Sequence, residues 1–319
     1  MAETMKAFGL ADEGSAAGFF EIPIPTPGPG EVRVSVRASS VNGFDAFVAA
    51  GMARGSMEHR YPVVVGKDYA GEIDAVGEGV DRFFLGDEVA GVLPPASYVA
   101  SGAYSEYVTV PAAGFVEPKP PNLGFEQAAS VGLAAVTALR CVDRVAPLEG
   151  STVLIVGATG GVGSYAVQLA SARRASVIAS ALTEDEAWIR GLGAGEIADY
   201  SSDVPGAVRE RHLDGIDGLI VAVHVGEGFS ELTELVKDGG KVASTVGGAD
   251  VEALAGRGID AENVYGQSDP ERFEAVLRLA AEGALTVPIT KTYGFDELPE
   301  ALGLVGRRSA RGKVAIRIR

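Results

Sequence analysis

Thr152-Val153-Leu154-Ile155-Val156-Gly157-Ala158-Thr159-Gly160-Gly161-Val162-Gly163 runs from a short apolar segment into a glycine-rich turn. The next residues, Ser164-Tyr165-Ala166-Val167-Gln168-Leu169-Ala170, have the texture of a helix. A buried strand, a glycine turn and a helix in that order form the phosphate-binding arrangement of dinucleotide folds. Glycines let the backbone approach a pyrophosphate, and the helix N-terminus offers unpaired N–H groups with a partial positive charge. The spacing is Gly157-x-x-Gly160-x-x-Gly163 rather than G-x-G-x-x-G, so the flanking strand and helix carry the reading. Two other readings compete: a tight turn without a ligand, and a membrane span over Ser151–Ala170. Glycines with Ser, Thr and Gln inside the run count against the span.

Around this stretch the chain changes texture. Before it, Glu31-Val32-Arg33-Val34-Ser35-Val36-Arg37 alternates polar and apolar, the pattern of a half-buried strand. The preceding Pro23-Ile24-Pro25-Thr26-Pro27-Gly28-Pro29-Gly30 excludes a helix or an interior strand. Short strands with glycine turns follow, at Gly71–Val76 and Glu88–Val92, and predict a small barrel-like β domain ending near Pro118-Lys119-Pro120-Pro121. From Phe125 to Val145 an alanine-rich helix is expected, stopped by Pro147. Strands at Val153–Val156, Ser176–Ala179, Gly218–Val223 and Lys241–Ser244 then alternate with helices such as Glu184–Leu192, Phe229–Val236 and Pro270–Glu282. Alternation of this kind predicts a parallel sheet covered by helices on both faces. Val287–Thr290 and Lys313–Ile318 read as late strands that return to the β domain.

With 319 residues, two domains are the natural expectation, and 47% hydrophobic residues supply a sizeable core. The net charge of −16 would repel polyanions, so neither nucleic acid nor an anionic membrane surface is an expected partner. The single cysteine, Cys141, excludes an intrachain disulfide, and Met1–Lys6 lacks a basic-then-apolar leader; both suit a cytoplasmic protein.

Several fragments together resemble the medium-chain dehydrogenases/reductases, in the zinc-free, zeta-crystallin-like quinone oxidoreductase branch. They are Ser40-Val41-Asn42-Gly43-Phe44-Asp45, Gly66-Lys67-Asp68-Tyr69-Ala70-Gly71, Gly86-Asp87-Glu88-Val89, Ala134-Ala135-Val136-Thr137-Ala138, the glycine loop, Leu192-Gly193-Ala194 with Asp199-Tyr200, and Arg311-Gly312-Lys313-Val314. The resemblance implies an α/β chain: a GroES-like β domain (1–121 with 269–319) plus a Rossmann, doubly wound parallel-sheet domain (122–268). It also implies a nicotinamide cleft between the domains. A homodimer is implied as well, with Asn263-Val264-Tyr265-Gly266 as the edge strand at its interface.

Zinc-dependent relatives carry a Cys after the second strand region and a His in a Gly-His-Glu motif. This chain has Asn42 to Asp45 and Gly66-Lys67-Asp68 there, with three histidines (His59, His212, His224) at no ligand spacing. No zinc is expected. A metal-free site suits hydride addition from NADPH or NADH to a quinone or to the C=C of an α,β-unsaturated carbonyl. The alternatives are metal-free carbonyl reduction or alcohol dehydrogenation, and a nucleotide-binding protein without turnover, structural or redox-sensing.

Candidate catalytic residues are Asn42, orienting the nicotinamide ribose or the substrate carbonyl or else holding a turn, Asp45, fixing that loop or relaying a proton, and Thr137, which the resemblance places against the nicotinamide and which helix packing would equally explain. Phe44, Phe47 and Met52 are candidates for an apolar pocket or simply for the core; relatives often carry a Tyr at the place of Phe47, which has no proton to give. The pocket loops Gly51–Arg60 and Ala96–Ser105 carry no decodable pattern. Candidate cofactor contacts are Gly157, Ala158, Thr159, Gly160, Gly161, Val162, Ser180, Tyr200, Val223, His224, Thr245 and Val246. Ser180 rather than an acid ends the second strand, which favours NADPH, although Thr183-Glu184-Asp185-Glu186 follows it. Ser180 and Tyr200, with Arg173 or Arg174, are candidates for a 2′-phosphate.

Overall fold

The computed structural model describes residues 3–94, 98–224 and 226–319. It divides into two compact units, residues 1–136 with 267–319, and residues 137–266. The boundary falls inside the long helix Phe125–Val145.

The first unit is built on a seven-stranded sheet. Its path runs Val116–Pro118, Glu88–Val92, Asp68–Val76, Glu31–Val41, Lys313–Arg317, Ile289–Gly294, and Tyr107–Pro111 also pairs with Glu31–Val41. The alternation read in the sequence at Glu31–Arg37 places Val32, Val34 and Val36 fully inside. They pack in one apolar core with Tyr69, Ile73, Val314 and Ile316. The C-terminal strand Lys313–Arg317 lies antiparallel to Glu31–Val41, with Val314 opposite Val41 and Ala315 opposite Ser40. The chain's last strand therefore brings Lys313 to the end of the strand that leads into Asn42. A short helix, Gly43–Ala49, follows Asn42, where the sequence pattern suggests a loop. Its marker is local: the Asp45 carboxylate, three residues on, accepts the Asn42 backbone N–H at 2.9 Å, half of a capping box.

The second unit holds a six-stranded sheet in the order Glu196–Ala198, Ser176–Ser180, Thr152–Val156, Ile216–Val221, Val236–Ser244, Asp260–Asn263. Every pairing is parallel. Taken in chain order this is 3-2-1-4-5-6, with the direction of winding reversing beside Thr152–Val156. Leu154, Ile178, Leu219 and Val242 are fully buried, because a parallel sheet is covered on both faces.

Three boundaries differ from the sequence reading. The helix expected over Phe229–Val236 ends at Thr233, and Val236 already opens a strand. The edge strand is Asp260–Asn263, so only Asn263 of the segment Asn263–Gly266 belongs to it. The alanine-rich helix is broken at Gly132, whose backbone is not helical. A Cβ there would lie 2.2 Å from Asp68 Oδ1, so the glycine makes room for that carboxylate. Among the described residues no helix is long and apolar enough to cross a membrane.

Candidate functional site

In the first unit Asn42, Asp45 and Asp68 meet in a buried polar cluster. Asp68 opens its strand facing inward and is completely buried. Its Oδ2 accepts from Ser40 Oγ at 2.5 Å and Asn42 Nδ2 at 2.8 Å. Its Oδ1 accepts from the Leu133 N–H at 2.7 Å. That amide is freed from the helical ladder by the break at Gly132, so the carboxylate caps the positive end of the helix segment that restarts there. Asp45 Oδ2 accepts from Asn42 Nδ2 and from Tyr104 Oη, each at 3.1 Å. Asp45 Oδ1 is buried with no hydrogen-bond partner among the described residues.

Two buried carboxylates need a counter-charge, and Lys313 supplies it. Only 1% of its side chain is exposed, and Nζ lies 3.6 Å from Asp68 Oδ2. The same ammonium donates to Asn42 Oδ1 at 2.8 Å and to the Val41 carbonyl at 3.3 Å. Burial pushes the Lys313 pKa down, against the pull of Asp68 and Asp45. Burial, with the Asp68 charge adding to it, pushes Asp45 up to about 7. Tyr104 rises well above its ordinary value for the same reasons.

The sign for Asp45 is unusual for a carboxylate. An acid whose folded pKa exceeds its unfolded one binds more protons when folded, so its contribution to stability falls as pH rises through the interval. For Asp45 the interval runs from 3.8 to about 7. Asp45→Asn should therefore gain stability relative to wild type between pH 5 and pH 8. Thermal melts of both proteins at the two pH values test this, and a difference independent of pH would refute the assignment.

This geometry decides what Asn42 has to offer. Both Nδ2 hydrogens are spent on the two carboxylates, and Oδ1 holds Lys313, so the amide faces a ligand only as an acceptor. Phe44 is half-buried against the core, while Phe47 and Met52 are 38% and 64% exposed. In the pocket loops, Gly51–Arg60 is described, but residues 95–97 lie outside the described residues, which takes Ala96 and Ser97 from the loop Ala96–Ser105. Thr137 is buried on the long helix and belongs to the second unit.

The second unit gathers its candidates along one edge. Residues 157–162 follow the central strand, Ser180 ends the next, and Tyr200 follows the outer one. Val223 and His224 follow Ile216–Val221, and Thr245 and Val246 follow Val236–Ser244. All of them sit at the carboxyl ends of parallel strands, where such sheets bind ligands. Gly157 has φ +80°, which only glycine adopts without strain. A Cβ on Gly163 would lie 2.1 Å from the Gly157 carbonyl oxygen, so the helix Gly161–Ala172 packs directly on the turn. Gly160 is the N-cap and has no side chain to satisfy the first amides of that helix. A pyrophosphate fits this bare cradle.

Arg173 and Arg174 leave the candidate set. They precede Ser176, at the opposite edge of the sheet, where Arg173 binds Asp143 and the Val142 carbonyl and Arg174 binds Glu149. Glu186 pairs with Arg190 at 2.7 Å. The Asp199 carboxylate accepts from Thr183 Oγ1 at 2.8 Å and from Ser201 Oγ at 2.7 Å. The hydrogen bonds from Ser201 and Thr183 hold its pKa down to about 2.

Two family models match the chain: the alcohol dehydrogenase GroES-like domain over residues 28–121, and the zinc-binding dehydrogenase over residues 192–316. The chain is 32% identical over 239 residues to the chloroplast envelope quinone oxidoreductase homolog of Arabidopsis thaliana, covering 72% of this chain and 70% of that protein. It is 34% identical over 188 residues to the chloroplastic quinone-oxidoreductase homolog of Spinacia oleracea, and spans 56% of that protein's length. The solved quinone oxidoreductase from Coxiella burnetii superposes with a TM-score of 0.88 at 26% identity, over 99% of this chain and 100% of that one.

The zinc in the second description does not fit the residues present. Among the described residues no three His, Cys, Asp or Glu side chains are grouped to hold a metal ion. Cys141 is buried within the long helix, and Asp45 and Asp68 are committed to hydrogen bonds and to Lys313. A nicotinamide dinucleotide does fit, on the glycine cradle and the carboxyl edge of the 3-2-1-4-5-6 sheet. With a relative above 30% identity covering most of both chains, and a full-length structural match, this chain belongs to the medium-chain dehydrogenase/reductase superfamily, in its quinone oxidoreductase-like branch, and is an oxidoreductase.

Proposed function

We propose that the protein is a zinc-independent NAD(P)H-dependent reductase that adds hydride to a quinone or to the C=C of an α,β-unsaturated carbonyl. The observation that carries this reading is the donor set of the first unit. Where zinc-dependent relatives place Cys and His, this chain has Asn42–Asp45 and Lys67–Asp68, whose side chains make hydrogen bonds and an ion pair. Such a site is suited to orienting a substrate through fixed polar groups and charges rather than through a metal. The dinucleotide supplies the hydride when bound. In this reading Gly157, Ala158, Thr159, Gly160, Gly161 and Val162 cradle the pyrophosphate. Asn42 Oδ1 accepts from a ribose hydroxyl, Asp45 and Lys313 hold Asn42 in place, and Thr137 faces the nicotinamide. Phe44, Phe47 and Met52 form the apolar wall that a quinone or enone needs.

NADPH is the preferred nucleotide in this reading, with NADH accepted. Ser180 stands where a ribose-binding acid would, and the hydroxyls of Thr183 and Ser201 already occupy Asp199. The protein is taken to be a cytoplasmic homodimer joined along the exposed edge of Asp260–Asn263. Its −16 charge argues against nucleic-acid partners.

The test is NADPH consumption by the purified, chelator-treated protein with a simple α,β-unsaturated ketone, with the product identified. A saturated ketone is the expected product, with NADPH bound more tightly than NADH and turnover reduced in Asn42→Ala. An allylic alcohol would mean carbonyl reduction instead. Nucleotide binding without turnover on any acceptor would favour a structural or redox-sensing role.

A further inference from the structure

The hydride step leaves negative charge on the substrate oxygen, and most of the donors near Asn42 are already spent. Both Asn42 Nδ2 hydrogens go to Asp45 and Asp68. Tyr104 Oη lies within hydrogen-bond distance of Asp45 and of the Ser40 carbonyl. Lys313 is enclosed by Val41, Asn42 and Asp68. Phe47 has no donor.

Lys67 differs from all of these. It precedes Asp68 on the chain and is only half-buried, with Nζ 5.9 Å from the centre of the Phe44 ring. Among the described residues its one hydrogen bond is long, 3.5 Å to the Pro94 carbonyl. An ammonium carries three donors, so two remain. Asp45 and Asp68 attract it through space, yet neither accepts a hydrogen bond from it among the described residues; Asp68 and Asp45 Oδ2 are bonded to Asn42, Ser40, Tyr104, Leu133 and Lys313 instead. The result is a partly desolvated cation beside an aromatic ring, with no counter-ion in contact among the described residues.

We propose that Lys67 is a catalytic residue: its ammonium receives the carbonyl oxygen of an α,β-unsaturated substrate, stabilises the charge that develops there and donates the proton to it. The inference deepens the reductase reading and rests on it. The electron pair of the hydride forms the new C–H bond at the β-carbon. The C=C pair moves to join the α-carbon and the carbonyl carbon, and the carbonyl π pair passes to oxygen. That oxygen takes a proton from Lys67 Nζ, so an N–H bond breaks and an O–H bond forms. The enol then tautomerises in water to the saturated ketone, and the neutral amine regains its proton from solvent. A cation in a partly desolvated site acts on such an oxygen far more strongly than in water. Burial also holds the Lys67 pKa below its ordinary value, which makes the ammonium a better acid near neutral pH. The charged groups that act on it are Asp45 from the short helix and Asp68, the next residue on the chain.

The experiment uses the intact protein and three variants, Lys67→Met, Lys67→Arg and Lys67→Ala, each checked by thermal melting and nucleotide binding. Lys67→Met should lower kcat for the enone about 10²-fold, the scale of a lost general acid, with nucleotide affinity unchanged. Lys67→Arg keeps the charge, should recover part of the rate, and should lose the fall in activity at high pH. Small primary amines should rescue Lys67→Ala, with a pH profile that follows the pKa of the added amine; a packing role would not respond in this way. A second readout needs no turnover. With oxidised nucleotide present, 4-nitrophenol stands in for the enolate, and its yellow anion should be favoured on the wild-type protein and not on Lys67→Met. Should Lys67→Met fail to fold, the arginine variant and the wild-type 4-nitrophenol spectrum carry the test. Wild-type rates in Lys67→Met, no amine rescue, or an unchanged 4-nitrophenol spectrum overturns the role of Lys67 and leaves the reductase reading standing. If the wild-type protein binds nucleotide but reduces no enone, the reductase reading falls and this inference with it.

Discussion

Lys313→Met should destabilise the β-rich unit by about 3–5 kcal/mol at pH 8, the cost of removing one partner from a buried ion pair. In a domain of this size that corresponds to a melting temperature lower by roughly 10 °C. Among the described residues Lys313 is the one positive charge bonded into the cluster, reaching Asn42 Oδ1 at 2.8 Å and Asp68 Oδ2 at 3.6 Å. Methionine fills much the same volume without charge, so the loss is electrostatic. Asp68 would keep its neutral donors Ser40, Asn42 and Leu133, with Asp45 as a like charge nearby and no cation in contact. The variant should lose less stability at pH 5 than at pH 8, because acid lets the carboxylates protonate. Melts at both pH values check this. An unchanged melting temperature at pH 8 would mean that Lys313 is not the counter-ion.

Gly163→Val should abolish nucleotide binding at ordinary concentrations and cost about 1–3 kcal/mol of stability through overpacking. Even a Cβ would lie 2.1 Å from the Gly157 oxygen and 2.7 Å from the Ala158 Cα. Both neighbours are backbone, so no side chain can swing aside, and the helix must separate from the turn. Separation withdraws the helix N-terminus from the phosphates. Gly160→Ala is the matched control, because its Cβ would meet only the Gly157 oxygen, at 3.4 Å. That variant should keep affinity within about tenfold, since an ordinary contact leaves the cradle in place. Fluorescence titration with NADPH separates the two; equal losses would show that the packing of helix on turn is not what shapes the cradle.

Much of the fold was legible in the sequence because local rules decided it. Period-two alternation marked Glu31–Arg37, and the strand–glycine–helix order marked the dinucleotide half. The late segment Lys313–Ile318 reads as returning to the β-rich unit, and it pairs there with Glu31–Val41, while the short strand Glu196–Ala198 of the parallel sheet leaves no pattern to read. The miss at Gly43–Ala49 arose because that helix is only seven residues long, too short to show a period. The miss at Val236 arose because a short helix and a buried strand share the same apolar residues.

The candidate site divides along the same line. The glycine cradle is a contiguous segment, so its geometry was written in one place. The carboxylate cluster was not. Asn42 and Asp45 belong to one capped turn and could be singled out, but Asp68 and Lys313 showed no local sign of their role. Lys313 lies 271 residues from Asn42 and looks like an ordinary polar residue opening a strand. Its burial follows from the register that sets Val314 opposite Val41. Register is a property of the assembled sheet, and the desolvation that sets the charge states of Asp45, Lys67 and Lys313 exists only once the surrounding core has closed. The sequence alone therefore determined which chemistry the chain carries. The tertiary structure decided which donors are consumed in holding the site together and which remain for a substrate, because hydrogen-bond capacity is spent by neighbours that are distant along the chain.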